Sequence, residues 1–481
     1  MNGGILVDAS LFKSQTREFD LSDVPVTGTV PGWLSGELFR NGPAIFEQGP
    51  DHMHHFFDGY AMLHRFSFQN GAVAYRSRIL ESEEYKNDTK LGRIAGNEWG
   101  TAAWYSGSIL KRLKNLVHPA VVDNTNVALG IIGGKYVALS DFSNMVAFDS
   151  ETLKTYGDIH FTDKFGNRLM GSAAHSSVDP VNGEIFNALS RFGPHGDVSV
   201  YRIAPGGGDK REVIATIPTK KHTYFHSFAL TPGYFIFIEM PLELELSRLI
   251  AGQLRGISLA ECYEWRPGNG TKFHIVSRND GTVTTLSTGA FFVFHTVNAF
   301  EEGGKIIIDL SAYPDASIIT EFFFDRLLKF GLGRKSSSHL QRFTLDPRSG
   351  TVASEVICGD ETFDLPRINR NVAGKKYRYA YGLGMPRETD GDFVTRILKI
   401  DVTRGTSTAW QAEQAFPGEP VFVARPGGTG EDDGCVLSFV FDGRTKTSFL
   451  LILDGTTMKE LGRAVLPHHV PFGLHGIFVE R

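Results

Sequence analysis

LILDGTTMKEL, residues 451–461, shows the pattern that decides the fold: an apolar run ends on an aspartate, turns, and leads into a second extended run. Three other stretches repeat it, namely MVAFDSETLKTY (145–156), RFTLDPRSGTV (342–352) and LKIDVTRGTST (398–408). An aspartate side chain can accept hydrogen bonds from backbone N–H groups two residues further on, which suits the tip of a β-hairpin. Each stretch is therefore predicted to form a hairpin, with turns at Asp149, Asp346, Asp401 and Asp454.

Short runs rich in Ile, Val, Phe and Tyr, bounded by turn residues, recur along the rest of the chain and are typical of strands. The clearest are 135–139, 184–192, 234–240, 305–310, 434–441 and 448–453. A helical period is visible only in 106–116, 242–254 and 318–330. Repeated hairpins indicate an all-β chain, either a β-propeller with helical insertions or a pair of β-sandwiches. A propeller needs no second domain, so we expect one domain over residues 1–481.

The composition is that of a folded protein without a basic excess. Hydrophobic residues make up 41% and charged residues 21% of the 481, which excludes a disordered chain. A net charge of −5 leaves no positive surplus to neutralise phosphates, so nucleic acid is not an expected partner. The three cysteines, Cys262, Cys358 and Cys435, are too few and too far apart for a disulfide framework or a thiolate metal site.

The sequence also bears on location. Residues 1–20 lack the basic and apolar regions of a signal peptide, and the chain has no run of 18 or more apolar residues. We therefore expect a cytoplasmic protein, either soluble or peripherally attached to a membrane. No obligate protein partner is evident from the sequence.

Four of the sixteen histidines share a context. They stand beside small or aromatic residues at or near predicted strands: His175 in GSAAHSSVDP, His226 in TYFHSFAL, His295 in FFVFHTVNAF and His475 in VPFGLHGIFVE. Inner strands of a propeller converge on its axis, where residues from distant blades can meet. Imidazole favours Fe, Zn, Cu or Ni over Mg or Ca. The four histidines are thus a candidate metal site whose ion the spacing leaves open.

Further motifs accompany these histidines from one end of the chain to the other. They are GELFRNGPAIF (36–46), HHFFDGYAMLHRF (54–66), RYAYGLGM (378–385) and GEPVFVARPGGTGEDDG (418–434). With the four histidine contexts in the same order, the chain resembles the carotenoid cleavage oxygenase family of non-haem iron enzymes. The resemblance implies a seven-bladed β-propeller, a helical dome over an axial metal site, and an apolar tunnel. It also implies Fe²⁺ bound by His175, His226, His295 and His475.

Carboxylates around the metal are implied by the same resemblance, because a ligating histidine usually donates its second N–H to a carboxylate or carbonyl. The family uses three glutamates for this purpose. Glu419, in GEPVFV, matches one of them and is expected to contact His475.

Aspartates stand where the family has the other two glutamates. They are Asp141 in YVALSD and Asp364 in FDLPRIN. Aspartate keeps the charge but is one methylene shorter, so we expect its contact with His226 or His295 to be shifted or bridged by water. In the alternative interpretation both aspartates are surface residues and another carboxylate, such as Glu361, replaces them.

Two further positions bear on the reaction. Thr125, in DNTNVALG, resembles a family position near the metal, although it would equally suit the start of a strand. Ser140 stands where members that cleave phenolic stilbenes have a lysine, which disfavours a hydroxystilbene substrate.

The implied reaction adds both atoms of O₂ across a conjugated C=C bond of a carotenoid or apocarotenoid and releases two aldehydes. The protein's part is to place one double bond beside the metal. A stilbenoid substrate, an isomerase that consumes no O₂, and a carrier without catalysis remain as alternatives.

Access for an apolar polyene suggests contact with a membrane. Two stretches, 104–119 and 241–258, combine Leu and Ile with Lys and Arg, as do helices that lie in the headgroup region. Insertions at about 100–119 and 241–258 are therefore expected to form part of the dome and the tunnel mouth. Packing of both helices on the dome, with their charges in water, is the alternative.

Overall fold

The computed structural model describes residues 7–102, 123–163, 165, 171–191, 196–387 and 393–481. Within these ranges strands predominate, in seven sheets of four to six strands and two smaller sheets. The prediction of a mostly-β chain is confirmed. We number the large sheets 1 to 7 and give their strands in the order in which they pair.

Sheets 1 to 4 are built mainly from the first half of the chain. Sheet 1 comprises Phe19–Leu21, Ala72–Ile79, Tyr60–Gln69, Gly36–Ile45 and Gly476–Glu480. Sheet 2 comprises Thr155–Asp158, Val146–Phe148, Lys135–Leu139 and Ala128–Ile132. Sheet 3 comprises Gly171–Ser172 with Ser177–Val178, Ile185–Ser190, Gly196–Ile203 and Glu212–Thr219. Sheet 4 comprises Ala229–Leu230, Tyr234–Glu239, Thr271–Ser277 and Val283–Thr288.

Sheets 5 to 7 and the small sheets complete the set. Sheet 5 comprises Phe292–Glu302, Lys305–Tyr313, His339–Asp346 and Thr351–Val356. Sheet 6 comprises Asp364–Arg367, Tyr379–Gly384, Arg396–Asp401 and Thr406–Gln411. Sheet 7 comprises Val26–Gly28, Glu460–Val465, Thr447–Asp454, Gly434–Asp442 and Ala415–Pro417 with Val421–Ala424. The small sheets are His222–Thr223, Leu242–Leu244 and Tyr263–Trp265, and Glu47–Gln48 with Asp51–His52.

The two ends of the chain share sheets. Gly36–Ile45 pairs antiparallel with the C-terminal strand Gly476–Glu480 in sheet 1. Val26–Gly28 pairs antiparallel with Glu460–Val465 in sheet 7. Backbone hydrogen bonds therefore tie the start of the chain to its end in two adjacent sheets.

Neighbouring large sheets contact one another mainly through their edge strands. Ala229–Leu230 of sheet 4 contacts Phe292–Glu302 of sheet 5, which contacts Asp364–Arg367 of sheet 6. Val421–Ala424 of sheet 7 contacts Gly476–Glu480 of sheet 1, which contacts Ala128–Ile132 of sheet 2. These edge strands hold or adjoin candidate site residues, so their convergence positions the site.

The hairpin turns form as the aspartate pattern predicts. Asp149 accepts hydrogen bonds from the backbone N–H groups of residues 151 and 152, and Asp401 from those of residues 403 and 404. Asp346 and Asp454 make equivalent bonds in their own turns. Asp179 and Asp442 cap further hairpins in the same way, although we did not identify them from the sequence.

The described helices are short and few. The α-helices are Glu83–Leu91, Leu246–Arg255, Leu259–Cys262, Ser317–Glu321 and Phe324–Phe330, and the 3₁₀ helices are Ala9–Phe12, Phe56–Asp58, Pro267–Asn269, Arg334–Ser336 and Arg370–Val372. The predicted helix 318–330 is two helices, because the chain turns at residues 322 and 323. The predicted helix 242–254 was wrong at its start, where the Leu-Glu-Leu alternation forms a strand paired with Tyr263–Trp265. The predicted helix 106–116 lies outside the described residues.

Candidate metal centre and its two cavities

The four histidines of the sequence prediction meet at one point. One ring nitrogen from each of His175, His226, His295 and His475 lies within 4.8 Å of the others. Among the described residues this is the one group of histidine, cysteine and carboxylate side chains arranged to hold a metal ion. His295 lies within Phe292–Glu302, an edge strand of sheet 5, and His475 directly precedes Gly476–Glu480, an edge strand of sheet 1. Distant segments therefore supply a compact set of imidazoles.

Three of the histidines donate their Nδ1–H to a carboxylate. The Nδ1 atoms lie 2.8 Å from Asp141 Oδ1 for His226, 2.7 Å from Asp364 Oδ1 for His295, and 2.7 Å from Glu419 Oε1 for His475. The two aspartate contacts are direct, although we expected them to be shifted or bridged by water. Each of these contacts leaves the Nε2 atom of the histidine free to face the cluster.

Glu361 does not take the place of either aspartate. Its carboxylate is bound by the guanidinium groups of Arg387 and Arg396 and by the Ser407 hydroxyl. The side chain is fully buried in that ion-pair network. The alternative that the sequence left open therefore finds no support in the contacts of Glu361.

Two tyrosines that we did not single out from the sequence hold the aspartates. The Tyr224 hydroxyl donates to Asp141 Oδ2 at 2.7 Å, and the Tyr313 hydroxyl donates to Asp364 Oδ2. Burial and the adjacent carboxylate raise the pKa of both tyrosines well above the usual value. Each tyrosine is therefore a neutral donor. Tyr224 lies two residues before His226, a spacing that places side chains on one face of an extended segment.

Glu419 is held by cations. It accepts from Arg40 Nη1 at 2.6 Å, from Arg367 Nε at 2.7 Å and from the backbone N–H of Gly476 at 2.9 Å, in addition to His475. Both Arg40 and Glu419 are almost completely buried. We did not predict either arginine, because each is distant from Glu419 in the sequence.

The donor set fits a cation. The Nε2 atoms of His295 and His475 lie 3.1 Å apart, and each ring already donates its Nδ1–H to a carboxylate. Both Nε2 atoms therefore carry lone pairs, which repel at this distance unless a positive charge lies beside them. His175 Nε2 is buried without a hydrogen-bond partner. Imidazole nitrogens with carboxylates behind them suit a transition-metal ion such as Fe²⁺.

The pKa values agree with neutral imidazoles over anionic carboxylates. Burial, together with the neighbouring histidines, lowers the pKa of His175 and His475 well below the usual value. Burial alone would raise the pKa of Asp364, but the contacts with His295 and Tyr313 bring it below its usual value. His175 and His475 are thus held in the neutral form that binds a positive charge without first losing a proton.

Thr125 is buried near this centre. Its side chain is fully enclosed, and its hydroxyl has no hydrogen-bond partner among the described residues. The backbone N–H of His475 donates to the carbonyl of Val127, so the segment that contains Thr125 runs beside His475. Its role at a metal stays a prediction.

Two cavities reach the cluster from different sides. The first, here called the apolar cavity, has about 130 Å³ of free volume and is lined by His226, His295 and His475 together with Asp141 and Asp364. Its other walls are mainly apolar and include Phe57, Trp99, Phe142, Phe294, Phe322, Leu365, Phe393 and Phe472. Ser140 also lines it. Such a lining suits an apolar ligand.

The second, here called the axial cavity, is larger and more polar. It has a volume of about 650 Å³ and is lined by His175, His295, His475 and Glu419 at its inner end. Its walls carry charged side chains, namely Asp179, Glu184, Arg202, Arg278, Arg367, Arg370 and Lys375. His226 belongs only to the apolar cavity and His175 only to the axial cavity.

Comparisons with known proteins decide the family. The family model described as "Retinal pigment epithelial membrane protein" matches residues 12–480. The mitochondrial carotenoid-cleaving dioxygenase of Mustela putorius furo is 33% identical over 94% of this chain and 93% of its own length. The beta,beta-carotene 15,15'-dioxygenase of Gallus gallus is 31% identical over 94% of each chain. The chain belongs to the carotenoid cleavage oxygenase family.

Solved structures agree with this assignment. The cobalt-substituted apocarotenoid oxygenase of Synechocystis matches with a TM-score of 0.88 and 28% identity over 98% of both chains. Structures of this oxygenase are propellers, and the mostly-β fold of this chain matches them. Among the helices that the structure describes, none combines the length and the apolar character needed to cross a bilayer.

Proposed function

We propose that the protein is an Fe²⁺-dependent dioxygenase that cleaves a conjugated C=C bond of a carotenoid or apocarotenoid. The observation that carries the proposal is the cluster of four imidazoles, backed by carboxylates, at the wall of an apolar cavity. The names of the relatives, which are carotenoid-cleaving dioxygenases, support it.

The fold that we propose for this activity is a closed ring of seven blades in a single domain, with helical insertions over the metal. Seven large sheets and the contacts of sheets 4 to 6 and of sheets 7, 1 and 2 support this arrangement. Three further contacts join the remaining pairs of neighbouring sheets, which are sheets 2 and 3, sheets 3 and 4, and sheets 6 and 7. Gly130 of sheet 2 lies against Ser176 beside sheet 3, Phe186 of sheet 3 shares a buried cluster with Phe235 of sheet 4, and Tyr381 of sheet 6 stacks on Phe422 of sheet 7.

His175, His226, His295 and His475 would hold Fe²⁺, with Asp141, Asp364 and Glu419 orienting three of them and Thr125 close by. When bound, Fe²⁺ would supply the redox chemistry with O₂ that cleavage of a C=C bond requires. The overall change is R–CH=CH–R′ + O₂ → R–CHO + R′–CHO, so no other oxidant or reductant is needed. The carboxylates would fix the orientation of the imidazole rings and raise their basicity as ligands.

The apolar cavity would select and place the substrate. Its aromatic walls exclude water and match a flat polyene, which offers no hydrogen-bonding groups along its conjugated part. Ser140 contributes a small hydroxyl where a phenol-binding lysine would favour a stilbenoid. A carotenoid or apocarotenoid therefore remains the proposed substrate class.

Peripheral membrane attachment would give such a substrate a route to the cavity. On the helix Leu246–Arg255, residues at intervals of four are exposed, with Leu246 at 39% and Ile250 at 40%. Apolar residues at this interval share one face of a helix. The other stretch predicted to contact a membrane, 104–119, lies outside the described residues.

Vesicle flotation tests the attachment. Changing Leu246 and Ile250 together to Ser should lower the fraction of protein that floats with vesicles. Val181→Ser is the matched control, because Val181 is 85% exposed but lies on the axial cavity. Equal flotation of the unchanged protein, the double variant and Val181→Ser would contradict membrane attachment through this helix.

Product analysis tests the activity. Iron-loaded protein is incubated with a detergent-dispersed apocarotenal, with and without O₂, and products are identified by mass. Two aldehydes that form only with O₂ would support the proposal, and their masses would identify the cleaved bond. His226→Ala should abolish them, whereas the exposed His52→Ala should not. Conversion without O₂ would indicate an isomerase, and unchanged substrate on iron-loaded protein would contradict cleavage of this substrate.

A further inference from the structure

His175 lacks the acceptor that the other three histidines have. Its Nδ1 bonds no described residue, whereas the Nδ1 atoms of His226, His295 and His475 each contact a carboxylate. Its Nε2 is buried without a hydrogen-bond partner, and one of its ring nitrogens belongs to the cluster, so we assign Nε2 to the cluster. A ligating histidine almost always donates its second N–H to a carboxylate, a carbonyl or water. The cavity that His175 lines is the axial one, so an acceptor for Nδ1–H would have to come from there.

The carboxylates of the axial cavity already bind cations. Asp179 accepts from Arg278, Glu184 pairs with Arg202 and Arg278, and Glu419 is bound by Arg40 and Arg367. None of them is left to accept from His175.

Two cations of the same wall have no carboxylate partner among the described residues. Arg370 Nη1 donates only to the carbonyl of Phe478, at 3.3 Å, and Lys375 Nζ only to the carbonyl of Asn371, at 3.2 Å. The axial cavity thus combines an unpaired imidazole donor with an excess of positive charge.

Arg367 lines the same cavity as His175 and Arg370. Its Nε donates to Glu419 and its Nη2 to the carbonyl of Gly476, which leaves Nη1 without a partner among the described residues. Arg370 keeps solvent contact at the cavity wall. Desolvation of its guanidinium and the like charge of Arg367 lower its pKa to about 10, against the opposite effect of Glu419 and Glu480. Two guanidinium groups close enough to repel each other in a concave surface favour an anion between them.

We propose that the axial cavity binds a small oxyanion, of the carboxylate, phosphate or sulfate class, which accepts from His175 Nδ1–H and is held by Arg367 and Arg370. The planar guanidinium fork matches the spacing of two oxyanion oxygens. By accepting from His175 the anion orients the fourth imidazole and raises its basicity, as the carboxylates do for the other three. Anion and metal affinities are then coupled, each raising the other by the same factor.

Sulfate is the probe, because it pairs with guanidinium groups and binds divalent metal ions weakly. Its affinity for the cobalt-loaded protein is measured by calorimetry at constant ionic strength, with chloride as the balancing anion. Arg370→Gln should weaken binding by about tenfold or more, because a charge-assisted hydrogen bond is lost. Lys375→Gln should weaken it less. The control is Lys376→Gln, since Lys376 is 71% exposed, pairs with Glu302 and does not line the cavity.

Coupling to the metal is the second readout. Cobalt affinity is titrated by absorbance with and without sulfate. Sulfate should tighten cobalt binding severalfold in the unchanged protein and in Lys376→Gln, but not in Arg370→Gln. Absence of saturable sulfate binding, or equal binding to Arg370→Gln, would mean water or an adventitious ion only and would overturn the proposal. Binding that leaves cobalt affinity unchanged would overturn the link to His175. Neither measurement uses a polyene or O₂, so the outcome is independent of the proposed cleavage reaction.

Discussion

The two sides of the histidine cluster hold their carboxylates by different means. On the side of the apolar cavity, Asp141 and Asp364 accept from the neutral hydroxyls of Tyr224 and Tyr313. On the side of the axial cavity, Glu419 accepts from the guanidinium groups of Arg40 and Arg367. The distances from the three histidine Nδ1 atoms to their carboxylates are nearly equal. The groups that hold the carboxylates differ in charge, because tyrosine hydroxyls are neutral and guanidinium groups are cationic.

This difference assigns separate tasks to the carboxylates. Four neutral imidazoles leave the charge of a divalent ion uncompensated, and Glu419 contributes little because two arginines already offset it. Asp141 and Asp364 keep their full negative charge, since tyrosine hydroxyls donate hydrogen bonds without adding charge. Compensation of the metal charge should therefore come from the apolar side, and rigidity from the axial side.

Glu419→Gln should give the largest change in stability. It removes the charge that Arg40 and Arg367 share, and Arg40 is left buried without a counter-ion. Breaking a buried pair by removing one partner costs on the order of 3 kcal/mol. Denaturant unfolding of the metal-free protein measures the loss.

Glu413→Gln is the control for this change, because Glu413 is exposed and lines neither cavity. A loss of stability no larger than that of Glu413→Gln would contradict the structural task assigned to Glu419.

Asp141→Asn and Asp364→Asn should act on the metal rather than on the fold. Each removes one negative charge behind a ligating histidine, and loss of such a partner typically lowers metal affinity by about 10-fold to 100-fold. Cobalt titration followed by absorbance measures the affinity, and iron content after purification gives a second value. Asp280→Asn, at an exposed hairpin turn, is the control for removing a carboxylate. Unchanged cobalt affinity in both aspartate variants would mean that Asp141 and Asp364 do not compensate the charge of the metal ion.

The wall of the apolar cavity also contains carboxyl groups that form no ion pair within the described part of the chain. In the axial cavity it is the basic side chains of Arg370 and Lys375 that have no carboxylate partner among the described residues. Burial raises the pKa of Asp58 and of Glu84 to about 7 and, together with Glu84, raises that of Glu98 well above its usual value. Asp58 and Glu98 line the cavity, and no described lysine or arginine forms an ion pair with these acids.

These carboxyls should therefore make stability fall as pH rises from about 4 to about 7. A carboxyl whose folded pKa is raised contributes stability that is fully present below its unfolded pKa of about 4 and is lost as pH rises through about 7. Buried histidines with lowered pKa values act in the opposite sense, but only below about pH 6.5. Melting temperature is therefore measured from about pH 4.5 to 7.5 in the unchanged protein and in Glu98→Gln, because the histidines contribute equally to both and the difference between the two proteins reports the carboxyl. Glu98→Gln should flatten the decline, and an equal slope in this variant would contradict the assignment.

Much of the fold could be predicted because its signals are local. The aspartate turns at 149, 346, 401 and 454 depend on contacts within three residues, and strands such as 234–240 show their apolar character directly. Helix 242–254 failed at its start because pairing with Tyr263–Trp265 overrides a helical period that the sequence alone supports.

Prediction of the metal centre was limited in the same way, because only its local signals are visible in the sequence. The histidines could be found from their contexts and from the family resemblance, and Tyr224 could have been found from its spacing of two residues from His226. Tyr313, Arg40 and Arg367 could not, because each reaches its carboxylate from a neighbouring sheet that is distant in the sequence and has no local signal. The charge difference between the two sides is therefore visible only in three dimensions.

Tyr224→Phe and Tyr313→Phe should give the smallest effects and test the comparison most finely. Each removes a neutral donor and leaves the carboxylate charge in place, so cobalt affinity at neutral pH should fall only a few-fold, less than in the asparagine variants. The hydrogen bond from Tyr313 helps to lower the pKa of Asp364. Tyr313→Phe should raise that pKa. When the solution is acidified, cobalt affinity should therefore begin to fall at a higher pH than it does for the unchanged protein. Tyr381→Phe is the control, because its buried hydroxyl donates to the carbonyl of Gly455, away from the cluster. If Tyr313→Phe lowered cobalt affinity as much as Asp364→Asn does, the hydroxyl rather than the charge would be the main contribution from this side.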